Sequence, residues 1–226
     1  MIRVFVFALC LFAVPAFAAD WPHQGPLGTY DRPALQRGLQ VHRNVCTACH
    51  SMDLVRFRHL TPLGYSHDEI RALAADDHVK PGDAFPAPYP DDETARSANG
   101  GALPPDLSLI VKARSGHEDM IYGILTGYAD PPDGVEMTPG MSYNTAFHGG
   151  QIAMPEPLTD GIVTCDDGTE ASVSQMSRDV VQFLVFAGDM HMEARKRTGI
   201  GVMLFMLIFS AMMYGVKRKI WTDVHK

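Results

Sequence analysis

The pentapeptide Cys46-Thr47-Ala48-Cys49-His50 constrains this chain more than any other segment. Its C-x-x-C-H spacing is the pattern for covalent attachment of a c-type haem. Two thiols three residues apart lie on one helical turn, where each can form a thioether bond to a haem vinyl group, and the next imidazole can bind the iron. The motif therefore predicts one covalently bound haem c, attached through Cys46 and Cys49, with His50 as an axial ligand.

A C-x-x-C pair can also bind zinc or exchange disulfides. A structural zinc site needs four ligands, usually including a second Cys or His pair. The two remaining cysteines, Cys10 and Cys165, are far apart and follow no such pattern. A redox pair of the thioredoxin type is expected in a βαβ context, which this sequence does not indicate. The sequence therefore favours haem over both alternatives.

The amino terminus reads as a cleaved export signal. Arg3 supplies a positive charge, residues 4–14 are apolar, and Ala16-Phe17-Ala18 forms an A-x-A cleavage site. We expect residues 1–18 to be a signal peptide. Export agrees with the motif, because bacteria attach haem c outside the cytoplasm.

A second apolar block lies near the carboxyl terminus. Gly199 to Val216 contains 18 uncharged residues, which span about 27 Å as a helix. Basic triplets precede and follow it at 195–197 and 217–219, and Trp221 suits a membrane interface. The pattern predicts a transmembrane helix, reached from the preceding soluble helix by a short basic hinge.

These segments give a domain division and a location. We expect a signal peptide at 1–18, a periplasmic haem domain at 19–195, an anchor at 196–219 and a short cytoplasmic tail at 220–226. The protein would cross the bacterial inner membrane once. The formal net charge of −7 argues against nucleic acid and favours basic partners.

Helical signals outnumber strand signals between the two apolar blocks. Asp31 can cap a helix that carries the motif at its carboxyl end, and His42 reads as part of a polar face with its hydrogen bonds satisfied. The remaining expectations are a capping box at Ser66–Glu69 opening a helix to about Asp77, a long loop at 79–105, a helix at 118–128, a loop at 130–157, a small hairpin near 163–173 and a helix from about Ser174.

The predicted fold class is mainly α: a class I cytochrome c-like haem domain with long loops, plus one C-terminal transmembrane helix. An electron carrier of this class fills the sixth iron position, often with methionine, which raises the reduction potential. Met154 is the leading candidate, because Pro155 and Pro157 stiffen its loop. Met137, Met141, a histidine or an open site remain alternatives from spacing alone.

Several further segments resemble the cytochrome c1 family, in that family's order and spacing, from about Trp21 to the tail. They are Asn99 to Ser108, Lys112-Ala113-Arg114, Leu125 to Tyr128, Ile152 to Pro155, Asp53 to Leu60 and Arg195 to Gly199. The resemblance implies that His50 and Met154 ligate the iron of a haem held by the two motif cysteines. It also implies that Arg114 lies near a haem propionate and that Pro104 and Pro105 pack near the haem.

Three features depart from the family pattern. His148 follows Phe147 where the family usually has proline, and Met120 stands where some members have a tyrosine near the haem. Cys165 has no partner, although some bacterial members carry a disulfide in this domain.

The resemblance implies an electron-transfer subunit of ubiquinol–cytochrome c reductase. Such a subunit accepts electrons from the Rieske iron–sulfur protein and passes them to cytochrome c. Cytochrome b and membrane lipid would be its further partners, and acidic clusters would dock the cytochrome c. The candidate clusters are Asp76-Asp77, Asp91-Asp92-Glu93 and Asp166-Asp167, each of which could instead be a solvated loop.

Two other functions share parts of this pattern. A membrane-anchored c-type cytochrome, acting as a shuttle or oxidase subunit, would have the same haem, signal and anchor. A haem enzyme or gas sensor would leave the sixth position open. We identify no catalytic residue and no quinol site in the chain.

Overall fold

The computed structural model describes residues 21–222, and this part of the chain is mainly α-helical. The signal peptide predicted at 1–18 and the last four residues of the predicted tail lie outside the described residues. Within the described range the α-helices are α1 (Arg32–Asn44), α2 (His67–Asp76), α3 (Asp92–Ala98), α4 (Ile110–Ala113), α5 (His117–Thr126), α6 (Val173–Gly188) and α7 (Met192–Trp221). Short 3-10 helices form at Cys46–Ala48 and Phe57–Leu63, and strands β1 (Ser142–Tyr143) and β2 (Gln151–Ile152) pair antiparallel.

Side-chain caps explain where several helices begin. The Asp31 carboxylate accepts a hydrogen bond from the Ala34 amide at 3.3 Å, at the start of α1. Ser66 and Glu69 form the predicted capping box of α2, each side chain bonding the other's amide. These local signals are readable from sequence because each cap satisfies an amide that the first helical turn leaves without a partner.

The packing of α1 against α6 fixes the position of α1, the helix that leads into the C-x-x-C-H motif. A Cβ atom at Gly38 would lie only 2.2 Å from the Asp179 carbonyl oxygen, so glycine permits the close approach. Beside the crossing, Arg37 Nε donates to the Asp179 carboxylate at 2.7 Å, and Asp179 is 1% exposed. The buried carboxylate is therefore paired, as its burial requires.

Two apolar clusters form the core of residues 21–192. The larger cluster includes Phe57, Leu60, Phe183 and Phe186. The smaller cluster contains Leu158, which lies four residues after Met154 in the chain. Cys46 of the motif packs against the same cluster. The chain that follows the candidate ligand Met154 is thereby anchored near the motif.

The long apolar helix α7 fits the predicted membrane anchor. It is the one helix among residues 21–222 that is long and apolar enough to cross a membrane, with a mean hydropathy of 2.0 over its best window. It begins at Met192, so the basic residues 195–197 lie inside the helix and the predicted basic hinge is wrong. Helix propensity explains this difference, because Arg and Lys are good helix formers.

The first turns of α7 contact the amino-terminal segment at residues 21–30. The Tyr30 amide donates to Glu193 Oε1 at 2.7 Å, and the Lys196 ammonium donates to the carbonyls of His23 and Gly28 at 2.5 and 2.9 Å. Helix α7 is therefore connected to this segment by hydrogen bonds as well as through the chain.

Three further expectations from sequence are wrong. The predicted loop at 130–157 contains the antiparallel pair β1 and β2. The predicted loop at 79–105 contains α3, because Asp91 caps it by accepting from the Thr94 amide at 2.8 Å, and acids favour a helix's first turn. The small hairpin expected near 163–173 does not form among the described residues. Its turn instead binds α1, since Arg37 pairs with Asp167 at 2.7 Å.

Candidate haem site

The motif lies on the turn that directly follows α1. The Cys49 and His50 amides both donate to the Cys46 carbonyl, at 3.1 and 2.9 Å, so the chain makes one tight turn across the motif. Both cysteines are half-buried, and neither forms a disulfide with another cysteine of residues 21–222. The turn brings the two thiols and the imidazole to one short stretch of surface, as attachment of a haem through both cysteines requires.

The His50 imidazole is oriented by a main-chain carbonyl. His50 Nδ1 lies 2.8 Å from the Pro105 oxygen, and because a carbonyl can only accept, Nδ1 carries the proton. The lone pair is therefore on Nε2, the atom that a metal would take. Burial lowers the pKa of His50, outweighing the Pro105 hydrogen bond that raises it, which favours the neutral imidazole. The structure thus brings together His50 and Pro105, two residues that the sequence assigned to the site.

Asp106 holds the segment after the motif against the segment that carries Pro105. Its carboxylate accepts from the Ser51 hydroxyl at 3.0 Å and from the Asp53 and Ser108 amides at 2.8 Å each. Burial by itself would raise the pKa of Asp106, but these hydrogen bonds together lower it. Asp106 and Ser108 could not be recognised as site residues from sequence, because their contacts join segments about 55 residues apart.

The thiol chemistry of the motif counts against a redox pair. Burial, followed by the proximity of Cys49, raises the pKa of Cys46 to about 12. A reactive C-x-x-C cysteine instead needs a lowered pKa to form its thiolate. Residues 21–222 also contain no group of three or more His, Cys, Asp or Glu side chains that could hold a metal ion. The two adjacent thiols, and a His50 whose Nε2 is available to a metal, fit a covalently attached haem.

Met154 lies in the loop that follows β2, on a different part of the chain from the motif. It is half-buried, and its carbonyl accepts a hydrogen bond from the Tyr128 hydroxyl at 3.0 Å. Burial, followed by the charge of Glu156, raises the pKa of Tyr128 to about 12. The alternative candidates differ: Met141 is 38% exposed, while Met137 is half-buried in a mostly exposed loop.

A family model for the Cytochrome C1 family matches residues 21–224. The chain belongs to this family. The resemblance that the sequence motifs indicated is therefore confirmed, and with it the mainly α fold class. The match includes both the motif that presents His50 and the loop that contains Met154.

Curated relatives agree with the family match. "Cytochrome b/c1" of Bradyrhizobium diazoefficiens is 42% identical, over 91% of this chain and 35% of that protein. "Cytochrome c1-2, heme protein, mitochondrial" of Solanum tuberosum is 46% identical, over 79% of this chain and 75% of that protein. "Cytochrome c1, heme protein, mitochondrial" of Saccharomyces cerevisiae is 43% identical, over 93% and 72%. The chain thus spans about a third of the length of the first relative and nearly three quarters of the others.

Arg114, the candidate partner of a haem propionate, lies at the end of α4. It is exposed, and its guanidinium forms no hydrogen bond or ion pair with another described residue. A guanidinium without a protein partner suits a carboxylate ligand such as a propionate. His148, which departs from the family pattern, is also exposed and stands in the turn closed by the Gly150 amide and the Phe147 carbonyl at 2.9 Å.

The environment of His42 differs from the expected one, which was a polar helix face with satisfied hydrogen bonds. Its side chain is fully buried, and neither ring nitrogen has a hydrogen-bond partner in the described part of the chain. The ring packs between Phe85 and Phe183, with centroid distances of 5.7 and 5.5 Å. Burial, followed by the proximity of His50 and Arg43, lowers the pKa of His42 to about 4. The expectation is wrong because the side of α1 that carries His42 faces α6 and the aromatic core.

Proposed function

We propose that this chain is the electron-transfer haem subunit of a cytochrome bc1 complex. The family match over residues 21–224 carries the proposal. The relatives' names, which include a cytochrome b/c1 and two cytochrome c1 haem proteins, support it. The site supports it independently, because the Pro105 carbonyl holds His50 in the tautomer that leaves Nε2 available to a metal.

The proposed cofactor is one covalently bound haem c. Cys46 and Cys49 would form its thioether bonds, His50 and Met154 would bind the iron, and Arg114 would pair with a propionate. The chemistry that a haem supplies when bound in this way is one-electron transfer between ferric and ferrous iron. With both axial positions taken by side chains, the chain offers no iron position for a substrate, so we expect no catalysis by this subunit alone.

The proposed partners follow from the family and from the surface charge. Electrons would arrive from the Rieske iron–sulfur protein and leave to a soluble or membrane-tethered cytochrome c, while cytochrome b and lipid would surround the anchor. Of the three acidic clusters, two are engaged within the protein: Asp77 pairs with Arg43 at 2.9 Å, and Asp167 pairs with Arg37.

The third cluster is different. Asp92 and Glu93 are exposed in the first turn of α3, and no ion pair joins them to another residue of the described part. They are therefore the acidic pair most available to a basic cytochrome c.

The proposed topology is a single membrane crossing. The helix α7 fits a single-pass anchor by length and composition. We propose the sides from the sequence: a signal peptide at 1–18, a periplasmic haem domain at 19–195, the anchor at 196–219 and a cytoplasmic tail at 220–226, in the bacterial inner membrane.

Purification of the full chain in a mild detergent tests the proposal. We expect the c-type haem to elute together with a b-type cytochrome and a Rieske protein, and the purified fraction to reduce added cytochrome c when supplied with a quinol. A haem chain that always elutes alone would contradict the subunit assignment and favour an anchored shuttle or oxidase subunit. Rapid binding of carbon monoxide by the reduced protein would contradict ligation by Met154 and favour an open-site haem enzyme or sensor.

A further inference from the structure

The loop that carries Met154 is held by contacts that neither the motif nor the family assignment explains. We propose that Tyr128 and Asn144 are positioning residues for the axial ligand, and that they hold the Met154 main chain so that its sulfur stays directed at the iron. The inference rests on the proposed function in one respect, namely that Met154 is the sixth ligand.

The direct contact is made by Tyr128. Its hydroxyl donates to the Met154 carbonyl at 3.0 Å, across 26 residues of sequence. Tyr128 itself is held at main-chain level, because it forms an antiparallel bridge with Asn144 just beyond the end of α5. The hydrogen bond therefore ties the Met154 loop to the end of a packed helix.

Asn144 joins three segments from a fully buried position. Its side-chain amide donates to the Ile124 carbonyl at 2.7 Å, in the last turn of α5, where helical carbonyls lack partners within the helix. Its side-chain oxygen accepts from the Ala146 and Phe147 amides at 3.1 Å each, and its own amide donates to the Gly150 carbonyl at 2.8 Å. One side chain thus connects α5 to the turn that leads into β2 and on to Met154.

Two glycines show how closely these segments approach. A Cβ atom at Gly127 would lie 2.6 Å from the Gly123 carbonyl oxygen and 2.9 Å from Thr145 Oγ1. Gly150 has a φ of +74°, and a Cβ atom there would lie 2.9 Å from the Tyr143 ring. Larger residues would push the turn away from α5, so the path from α5 to the ligand loop is tightly packed throughout.

A methionine thioether is a weak, uncharged ligand, so the position of its loop decides how often the bond to iron is broken. Pro155 restricts the chain on the carboxyl side of Met154, and β2 pairs with β1 on the other side. The Tyr128 hydroxyl acts between these two restraints, on the ligand residue itself. Functional groups that lack such support lose the geometry that they need.

Tyr128→Phe tests the inference in the full-length haem protein in detergent. The substitution removes one hydroxyl and leaves the ring in place. Loss of one hydrogen bond corresponds to about a fivefold larger fraction of sulfur-dissociated haem. We therefore expect carbon monoxide to bind the reduced variant about fivefold faster, while the haem stays attached and the long-wavelength absorption band of methionine-ligated ferric haem stays close to that of the wild type.

Tyr122→Phe is the matched control. Its hydroxyl forms a 3.0 Å hydrogen bond with Ser174, between α5 and α6 and away from the Met154 loop. We expect this variant to keep the wild-type carbon monoxide rate and absorption band, even if its unfolding midpoint falls. Asn144→Asp is a second test, because it keeps the acceptor for the two amides but loses the donor to Ile124, and we expect the same direction of change as in Tyr128→Phe.

The outcomes separate the inference from the function on which it rests. Fast carbon monoxide binding by the wild type would overturn ligation by Met154 itself. A slow wild type, with Tyr128→Phe and Tyr122→Phe both unchanged or both changed equally, would overturn the positioning role and leave the ligand assignment in place.

Discussion

The polar, ionisable side chain of His42 is buried in an apolar environment. The imidazole lies between two phenylalanine rings and has no hydrogen-bond partner among residues 21–222. Because the native pKa is lowered to about 4 from an ordinary 6.5, the unfolded chain binds a proton more readily than the native protein below pH 6.5. The stability contribution is therefore complete above pH 6.5 and is lost as the pH falls toward 4.

We predict that His42→Phe removes this acid sensitivity. The difference of about 2.5 pKa units corresponds to about 3 kcal/mol, so the stability advantage of the variant over the wild type should grow by about that amount between pH 7 and pH 4. Denaturant unfolding of the haem protein at both values measures it. His67→Phe, at an exposed histidine of α2, is the control and should not change the pH dependence. Parallel pH curves for wild type and His42→Phe would contradict the prediction.

For the helices, the sequence correctly predicted the features that depend only on residues close to one another in the chain. The cap at Asp31, the capping box at Ser66 and the apolar length of α7 are local patterns, and each is confirmed. Contacts between distant segments could not be predicted. The burial of His42 and the hydrogen bonds of Asp106 depend on which segments meet, and periodicity within one helix carries no information about its partner.

The candidate haem site also combines features that local sequence predicts with features that depend on long-range contacts. The motif through His50 is recognisable because haem attachment dictates a fixed local spacing. Met154 was one of several candidates from spacing alone, and only the family resemblance favoured it decisively. Its support by Tyr128 and Asn144 spans up to 26 residues and has no local signal. The α3 helix was missed because Asp91, Asp92 and Glu93 read equally well as a charged loop and as a helix start.

The close α1–α6 crossing predicts that a side chain at Gly38 lowers the stability of the protein. Gly38→Ala would place a methyl group 2.2 Å from the Asp179 carbonyl oxygen and 2.8 Å from Phe183 Cβ, so the two helices must separate. We expect a loss of about 3 kcal/mol in the free energy of unfolding. Gly188→Ala makes the same chemical change at the end of α6, where the nearest atom is 3.7 Å away, and should cost less than about 1 kcal/mol. Equal unfolding midpoints for the two variants would show that the crossing tolerates a side chain.

At the scale of the whole molecule, charge and anchoring act together. The net charge of −7 gives the chain a long-range attraction for a basic protein, and the proposed anchor α7 would confine the proposed haem domain to a membrane surface. Internal ion pairs use Asp77 and Asp167, so the exposed first turn of α3 concentrates the negative charge that remains available. A basic cytochrome c would meet this surface by diffusion, at a rate that salt lowers.

The double substitution Asp92→Asn with Glu93→Gln tests this surface. Asp91 is left unchanged because it caps α3. We predict that the rate constant for reduction of a basic cytochrome c falls about two- to fivefold at low ionic strength, and that the difference disappears in high salt, where screening removes the attraction. Asp133→Asn with Glu136→Gln removes the same two charges from an exposed loop outside the three clusters. Because steering depends on where charge lies as well as on how much there is, the control should lose less. An equal loss in both variants would mean that only net charge matters, and a rate independent of salt would rule out electrostatic docking at α3.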